Sequence, residues 1–146
     1  MSTTDYSEGL LAFIHKNAAM GVSSIPQAML LPQSRAMSHA LSSQLQEYRT
    51  ITAKAQSYAN AHGKVLHGPG SAARIMSGTM LRAQTAMDSS TSRLAELMIK
   101  GSTMGTVQMK RRLRQYEGKA DKELLELGSQ LLRTEERNIQ EMKQFL

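Results

Sequence analysis

Met37, Leu41, Gln44, Tyr48, Ile51, Ala55, Tyr58 and His62 follow one another at steps of four and three without a break. That alternation keeps a single stripe along an α-helix and is the spacing of helices that pack on helices. A strand places every second residue on one face, so the same residues could not share a sheet surface. The spacing predicts a helix over 32–63, with Pro32 in its first turn and Gly63 as its C-cap.

Three further segments carry the same signal. Ser7, Leu11, Ile14, Ala18, Gly21 and Ile25 predict a helix over 5–24 that Pro26 ends, with Asp5 and Glu8 as a capping box. Met76, Met80, Ala83, Met87, Ser90, Leu94, Met98, Gly101, Gly105, Met109, Leu113 and Tyr116 keep one phase across two glycines. They predict one long helix over 71–117, bent near Gly101–Gly105. The competing reading breaks the chain at Gly101 and makes 102–117 a separate short helix. Glycine inside a helix costs about 1 kcal/mol, so close approach of a neighbouring helix is the expected reason for it, with Ala18 and Gly21 on the facing surface. Leu125, Gly128, Leu132, Glu135, Ile139, Met142 and Leu146 predict a last helix from 119 or 120 to the end, its apolar face widened by Leu124, Leu127 and Leu131. Four amphipathic segments predict an all-α fold, an antiparallel up-down four-helix bundle in a single domain over 1–146.

Composition narrows the chemistry. The chain has 146 residues and no Cys, which removes disulfides, thiolate metal sites and a thiol nucleophile. Its longest uninterrupted apolar run, Leu10-Leu11-Ala12-Phe13-Ile14, is far short of a membrane span, and the first residues lack the flank of a secretory signal. A cytoplasmic protein with no membrane partner is therefore expected. Nucleophile elbows, phosphate-binding glycine loops and metalloprotease histidine pairs are missing, so no enzyme activity and no cofactor are expected. Gly68-Pro69-Gly70 lacks the Lys-Ser/Thr of a phosphate loop and reads as a turn.

Charge is concentrated. Residues 100–122 hold seven basic and two acidic groups, centred on Lys110, Arg111, Arg112 and Arg114, and the whole chain carries +6. Successive residues turn by about 100°, so these cations wrap the helix and leave Leu113 as its apolar anchor. The patch reads either as a solvated surface or as a weak site for an anionic polymer; specific nucleic-acid binding is not expected, because stacking aromatics are lacking beyond Tyr116.

Candidate metal ligands are few: Glu47 and Glu135, and the pair His62 and His67 beside the glycine turn. His15 and His39 fall off the predicted seams. Six of the 11 methionines lie in 71–117, where they read as core filler rather than as soft ligands for copper. Glu135 breaks the apolar seam of the last helix. A carboxyl there must be paired, hydrogen-bonded or neutralised, with Gln44 and Tyr48 as facing polar groups, and the expected role is structural.

The stretches 15–21, 44–48, 94–105 and 135–139 (His15-Lys16-Asn17-Ala18-Ala19-Met20-Gly21 in the first, Glu135-Glu136-Arg137-Asn138-Ile139 in the last) resemble small uncharacterised ferritin-like four-helix-bundle proteins of Gram-positive bacteria. The resemblance covers nearly the whole chain and implies the bundle fold. Ferritin-like oxidases add Glu-x-x-His on two helices, and this chain has none, so the di-iron chemistry is not implied. The leading expectation is a non-catalytic bundle acting through its surface or as a homo-oligomer. The alternatives are a degenerate ferritin-like metal or redox protein and an anionic-polymer binder at 110–114.

Overall fold

The computed structural model describes residues 3–67 and 90–146, and every regular element among them is a helix. The four are α1 (Thr3–Met29), α2 (Arg35–Ala61), α3 (Thr91–Tyr116) and α4 (Lys122–Lys143). No strand occurs among the described residues. None of these helices is long and apolar enough to cross a membrane.

Helix α1 passes through Pro26 and ends at Met29, beyond the expected stop. Proline removes one N–H and crowds the carbonyl four residues back. Side chains serve the neighbouring carbonyls: Ser24 Oγ donates to Met20 O at 2.6 Å and Gln27 Nε2 to Ser23 O at 3.2 Å. Continuing the helix keeps Ala28 on the same buried face as Ile25, and that burial offsets the lost bond.

Helix α2 begins three residues later than expected. Ser34, extended in its backbone, accepts from Met37 N at 3.1 Å and caps it. At the other end Gly63 adopts φ +64°. Lys64 N then donates to Ala59 O at 2.8 Å and Gly63 N to Asn60 O at 3.5 Å, a left-handed C-terminal cap. All seven seam residues from Met37 to Tyr58 are buried, and His62, just past the helix, is exposed.

The long third helix is shorter than expected. Ser90 is extended and accepts from Arg93 N at 3.2 Å, so α3 starts at Thr91, and no helix over 71–117 exists as one element. Residues 71–89, with Met76, Met80 and Met87, lie outside the described residues. From Thr91 to Tyr116 the helix is continuous through Gly101 and Gly105, which overturns the separate short helix over 102–117.

Helix α4 starts at Lys122, after Gly118 turns the chain at φ +71°. Its buried face is Leu124, Leu127, Gly128, Leu131, Thr134, Glu135, Asn138 and Met142. The expected seam is thus rotated by about one residue, leaving Leu125, Leu132 and Ile139 half-buried and Leu146 exposed.

Helix α1 packs chiefly on α2, and α3 chiefly on α4; the α1–α3 contact is the slightest of the principal ones. Tyr6 near the start of α1 meets Tyr116 at the end of α3, edge to face at 5.7 Å. At the same end Tyr58 Oη donates to Asp121 Oδ2 at 2.6 Å, and Asp121 N donates to Ser7 Oγ at 2.8 Å. At the opposite end Ser34 N donates to Thr91 Oγ1 at 3.2 Å.

Candidate functional site: an apolar groove over a buried carboxyl

Because α1 and α3 touch so little, they leave a cavity of about 590 Å³ between them. Met20 and Ile25 of α1 form one wall, and Leu97, Met98 and Met104 of α3 form the other. Thioethers suit such a surface, being apolar, polarisable and able to change rotamer to fit different shapes. The opening reaches solvent, since Met104 retains 64% of its exposure.

Three glycines give the cavity its depth, each in a different way. Gly101 has nothing within 4 Å of where a β-carbon would stand, so its missing side chain is open groove. At Gly105 a β-carbon would lie on Glu135 Oε2 and 2.9 Å from Glu135 Cδ. Carboxyl and helix backbone therefore meet only because residue 105 is glycine. At Gly21 the Tyr48 ring takes that role, 2.7 Å from the virtual β-carbon. The expected approach of α1 to Gly101 and Gly105 is thus corrected. The group that needs Gly105 is a side chain of α4, and Gly101 faces empty space.

Glu135 and Tyr48 form the floor. Glu135 keeps only 4% of its exposure, and among the described residues no hydrogen bond or ion pair reaches its carboxyl. Burial pushes its pKa up from 4.5 to about 7, because a charged carboxylate loses hydration without an opposing charge. Burial likewise raises the Tyr48 phenol, and the neighbouring Glu135 charge raises it further. Ser102 of α3 and Asn138 of α4 hydrogen-bond the Tyr48 side chain. The Asn138 amide, with its nitrogen towards α2, donates to Glu47 Oε2 at 3.2 Å and to Thr134 O at 3.3 Å. Gln44 Nε2 donates to Glu141 Oε1 at 2.9 Å. Gln44, Glu47 and Tyr48 thus make polar contacts with α4, but the Glu135 carboxyl is not among their hydrogen-bonding partners.

The remaining candidates are dispersed. Glu47 is half-buried; burial raises its pKa, opposed by the Arg137 charge. His62 stacks on Tyr58 at 3.9 Å and its Nδ1 lies 2.8 Å from Tyr58 O. The His67 backbone hydrogen-bonds His15, whose pKa burial lowers. Among the described residues no three His, Asp or Glu side chains converge on a point that could hold a metal ion. Glu47, Glu135, His62 and His67 therefore do not assemble into one centre.

The basic patch divides. Lys110, Arg111 and Arg114 are exposed and, with Val107 and Gln115, line a shallow hollow on α3. Arg112 turns inward, its guanidinium 4.8 Å from the Phe13 ring centroid and donating to Tyr116 Oη at 3.2 Å. It acts as a strut between α3 and α1.

Sequence reasoning reached Glu135 and Tyr48 but missed the groove and the hydrogen-bonding roles of Ser102 and Asn138. The available signal was the phase shared by Glu135 and Asn138, three residues apart on one helix face. No family model, curated protein or solved structure matches this chain.

Proposed function

We propose that the protein is a non-catalytic helical bundle that works by binding a small, largely apolar molecule in the groove between α1 and α3. The observation that carries this reading is the coincidence of an open apolar cavity with a buried carboxyl at its floor that has no hydrogen-bond or ion-pair partner among the described residues. Ligand sites are mostly apolar clefts of about 300–1,000 Å³ with a few placed polar groups, and this groove has that size and character. A polar group buried without a partner is destabilising, and a bound molecule can supply the missing one.

The contacts at the two ends support a finer architecture: α1 and α4 run one way, α2 and α3 the other. That order is the ferritin-like one rather than a strictly alternating up-down one. Self-association belongs to the same reading, because Met104 and Val107 keep 64% and 53% of their exposure along α3.

Gly101→Leu tests the proposal. Its side chain enters open groove without touching the core. A neutral, environment-sensitive apolar dye should bind the wild type and lose at least tenfold affinity for the variant, with helicity unchanged. Equal binding by both proteins, or none by the wild type, refutes the groove as the working surface.

A further inference from the structure

The groove is apolar along its walls and acidic at one point. Glu135 is the one carboxyl at its floor, and no donor among the described residues is directed at it. Among the described residues the titratable group facing it is Tyr48 of α2. Helix α1 presents Asn17, Gly21 and Ser24 to the cavity, and α3 presents Ser102, Gly105 and Gln108, none of which carries a charge. On α4 itself Arg137 donates to Thr134 Oγ1 at 3.4 Å, and its charge acts on Glu47. The exposed cations Lys110, Arg111 and Arg114 line a different hollow, and Lys100, beside Gly101, is paired with Glu96.

We propose that the molecule the groove accepts is an amphipathic organic cation, an apolar body bearing one ammonium head, with the head paired to the Glu135 carboxylate. This inference rests on the binding reading above and adds the chemical class of the ligand. An ammonium supplies both things that the described residues of the site lack, a positive charge and N–H donors directed at the carboxyl. In a site screened from water such a pair is stronger than on a surface. A simple metal cation fits less well. It would need several converging ligands, whereas the floor offers one carboxyl beside a phenol already hydrogen-bonded to Ser102 and Asn138. The methionine walls suit a chain or ring of variable shape.

The pairing has a built-in pH dependence. A carboxyl whose pKa burial has raised to about 7 must release its proton before it can hold a cation. Affinity for an ammonium is therefore greatest above pH 7 and falls by up to tenfold for each pH step below it.

Titration with 1-hexylammonium and with 1-hexanol, followed by calorimetry or amide chemical shifts, tests the assignment. Hexylammonium stays protonated across pH 5–8, so any pH dependence belongs to the protein. Expected is tighter binding of the ammonium than of the alcohol at pH 8, weakening below pH 7. Glu135→Gln should bind the ammonium at least tenfold more weakly and the alcohol as the wild type does. If the alcohol binds as tightly as the ammonium, or ammonium affinity is flat from pH 5 to 8, the cation assignment is wrong although the groove reading stands. Failure of both molecules to bind wild type overturns the groove reading and the assignment together. The wild-type pH profile decides even if the Gln variant does not fold.

Discussion

At one end of the bundle Ser7 and Tyr58 are buried and each is hydrogen-bonded to Asp121, at 2.8 and 2.6 Å. Further along, Glu135 is buried as deeply, yet its carboxyl rests on the Gly105 backbone with no donor among the described residues. Both regions place polar atoms inside a helical bundle. The first is a closed set, in which α1, α2 and the start of α4 are tied by partners that satisfy one another. The second is open on one side, beside a cavity. A satisfied buried group fixes register, whereas an unsatisfied one stores a cost that only a proton or a ligand can relieve.

The largest expected effect breaks the open region where it is tightest. Gly105→Leu drives a side chain into the Glu135 carboxyl, and overpacking of this kind costs about 3 kcal/mol. Chemical denaturation should show that loss. Combining it with Glu135→Ala should recover most of it, because the obstructing group is gone.

The second effect reads the buried carboxyl by pH. Glu135 in the folded protein titrates at about 7 instead of 4.5. A raised folded pKa means that the native state holds the proton more tightly than the unfolded chain. Stability from that proton is fully present below about pH 4.5 and is lost as pH rises through 7. The difference corresponds to roughly 3 kcal/mol at most. Glu135→Gln should therefore be more stable than wild type at pH 8 by about 2 kcal/mol, with the advantage gone near pH 4.5. Identical pH profiles of unfolding would show that the carboxyl is solvated or paired.

How far these regions were legible in the sequence differs for the same reason. The α2 seam is readable from Met37 to Tyr58, since a strict four-three spacing leaves one face that can be buried, and only its last residue, His62, falls past the helix. Glu135 was readable as an interruption of an apolar seam. The α4 register was displaced because Leu124, Leu127 and Leu131 offer a second apolar stripe, and only packing against neighbours chooses between the two. Pro26 reads as a stop because it lacks a donor, but the burial of Ile25 and Ala28 keeps the helix going. The two glycines of α3 were indistinguishable in sequence. Their roles depend on which helix stands opposite, and a periodic pattern carries no information about its partner.

A third effect probes the closed region. Tyr58→Phe removes the hydroxyl that donates to Asp121 and leaves the ring stacked on His62. The loss should be about 1.5 kcal/mol, the range of a hydrogen bond to a charged group. It should not alter ligand binding in the groove. A change in groove affinity would mean that the closed end and the open middle are coupled.

The smallest effect has the opposite sign and separates the two glycines most cleanly. Gly101 lies inside α3 with nothing within 4 Å of its virtual β-carbon, whereas Gly105 has the Glu135 carboxyl there. Glycine in a helix interior is less favourable than alanine by roughly 0.5–1 kcal/mol, because it surrenders more backbone freedom on folding. Gly101→Ala should therefore stabilise by about that amount, since the new methyl meets no neighbour and helix propensity alone decides. Gly105→Ala should destabilise, because the same gain is outweighed by collision with a carboxyl wedged between α3 and α4. If both alanine variants gain stability, Glu135 can swing out of the floor at little cost and the tight contact with Gly105 is not required. If both lose it, residue 101 is covered in solution by something that a methyl displaces, and the groove is not open at that point. Opposite signs from one substitution at two positions four residues apart would locate the boundary between packed helix and open groove to a single turn.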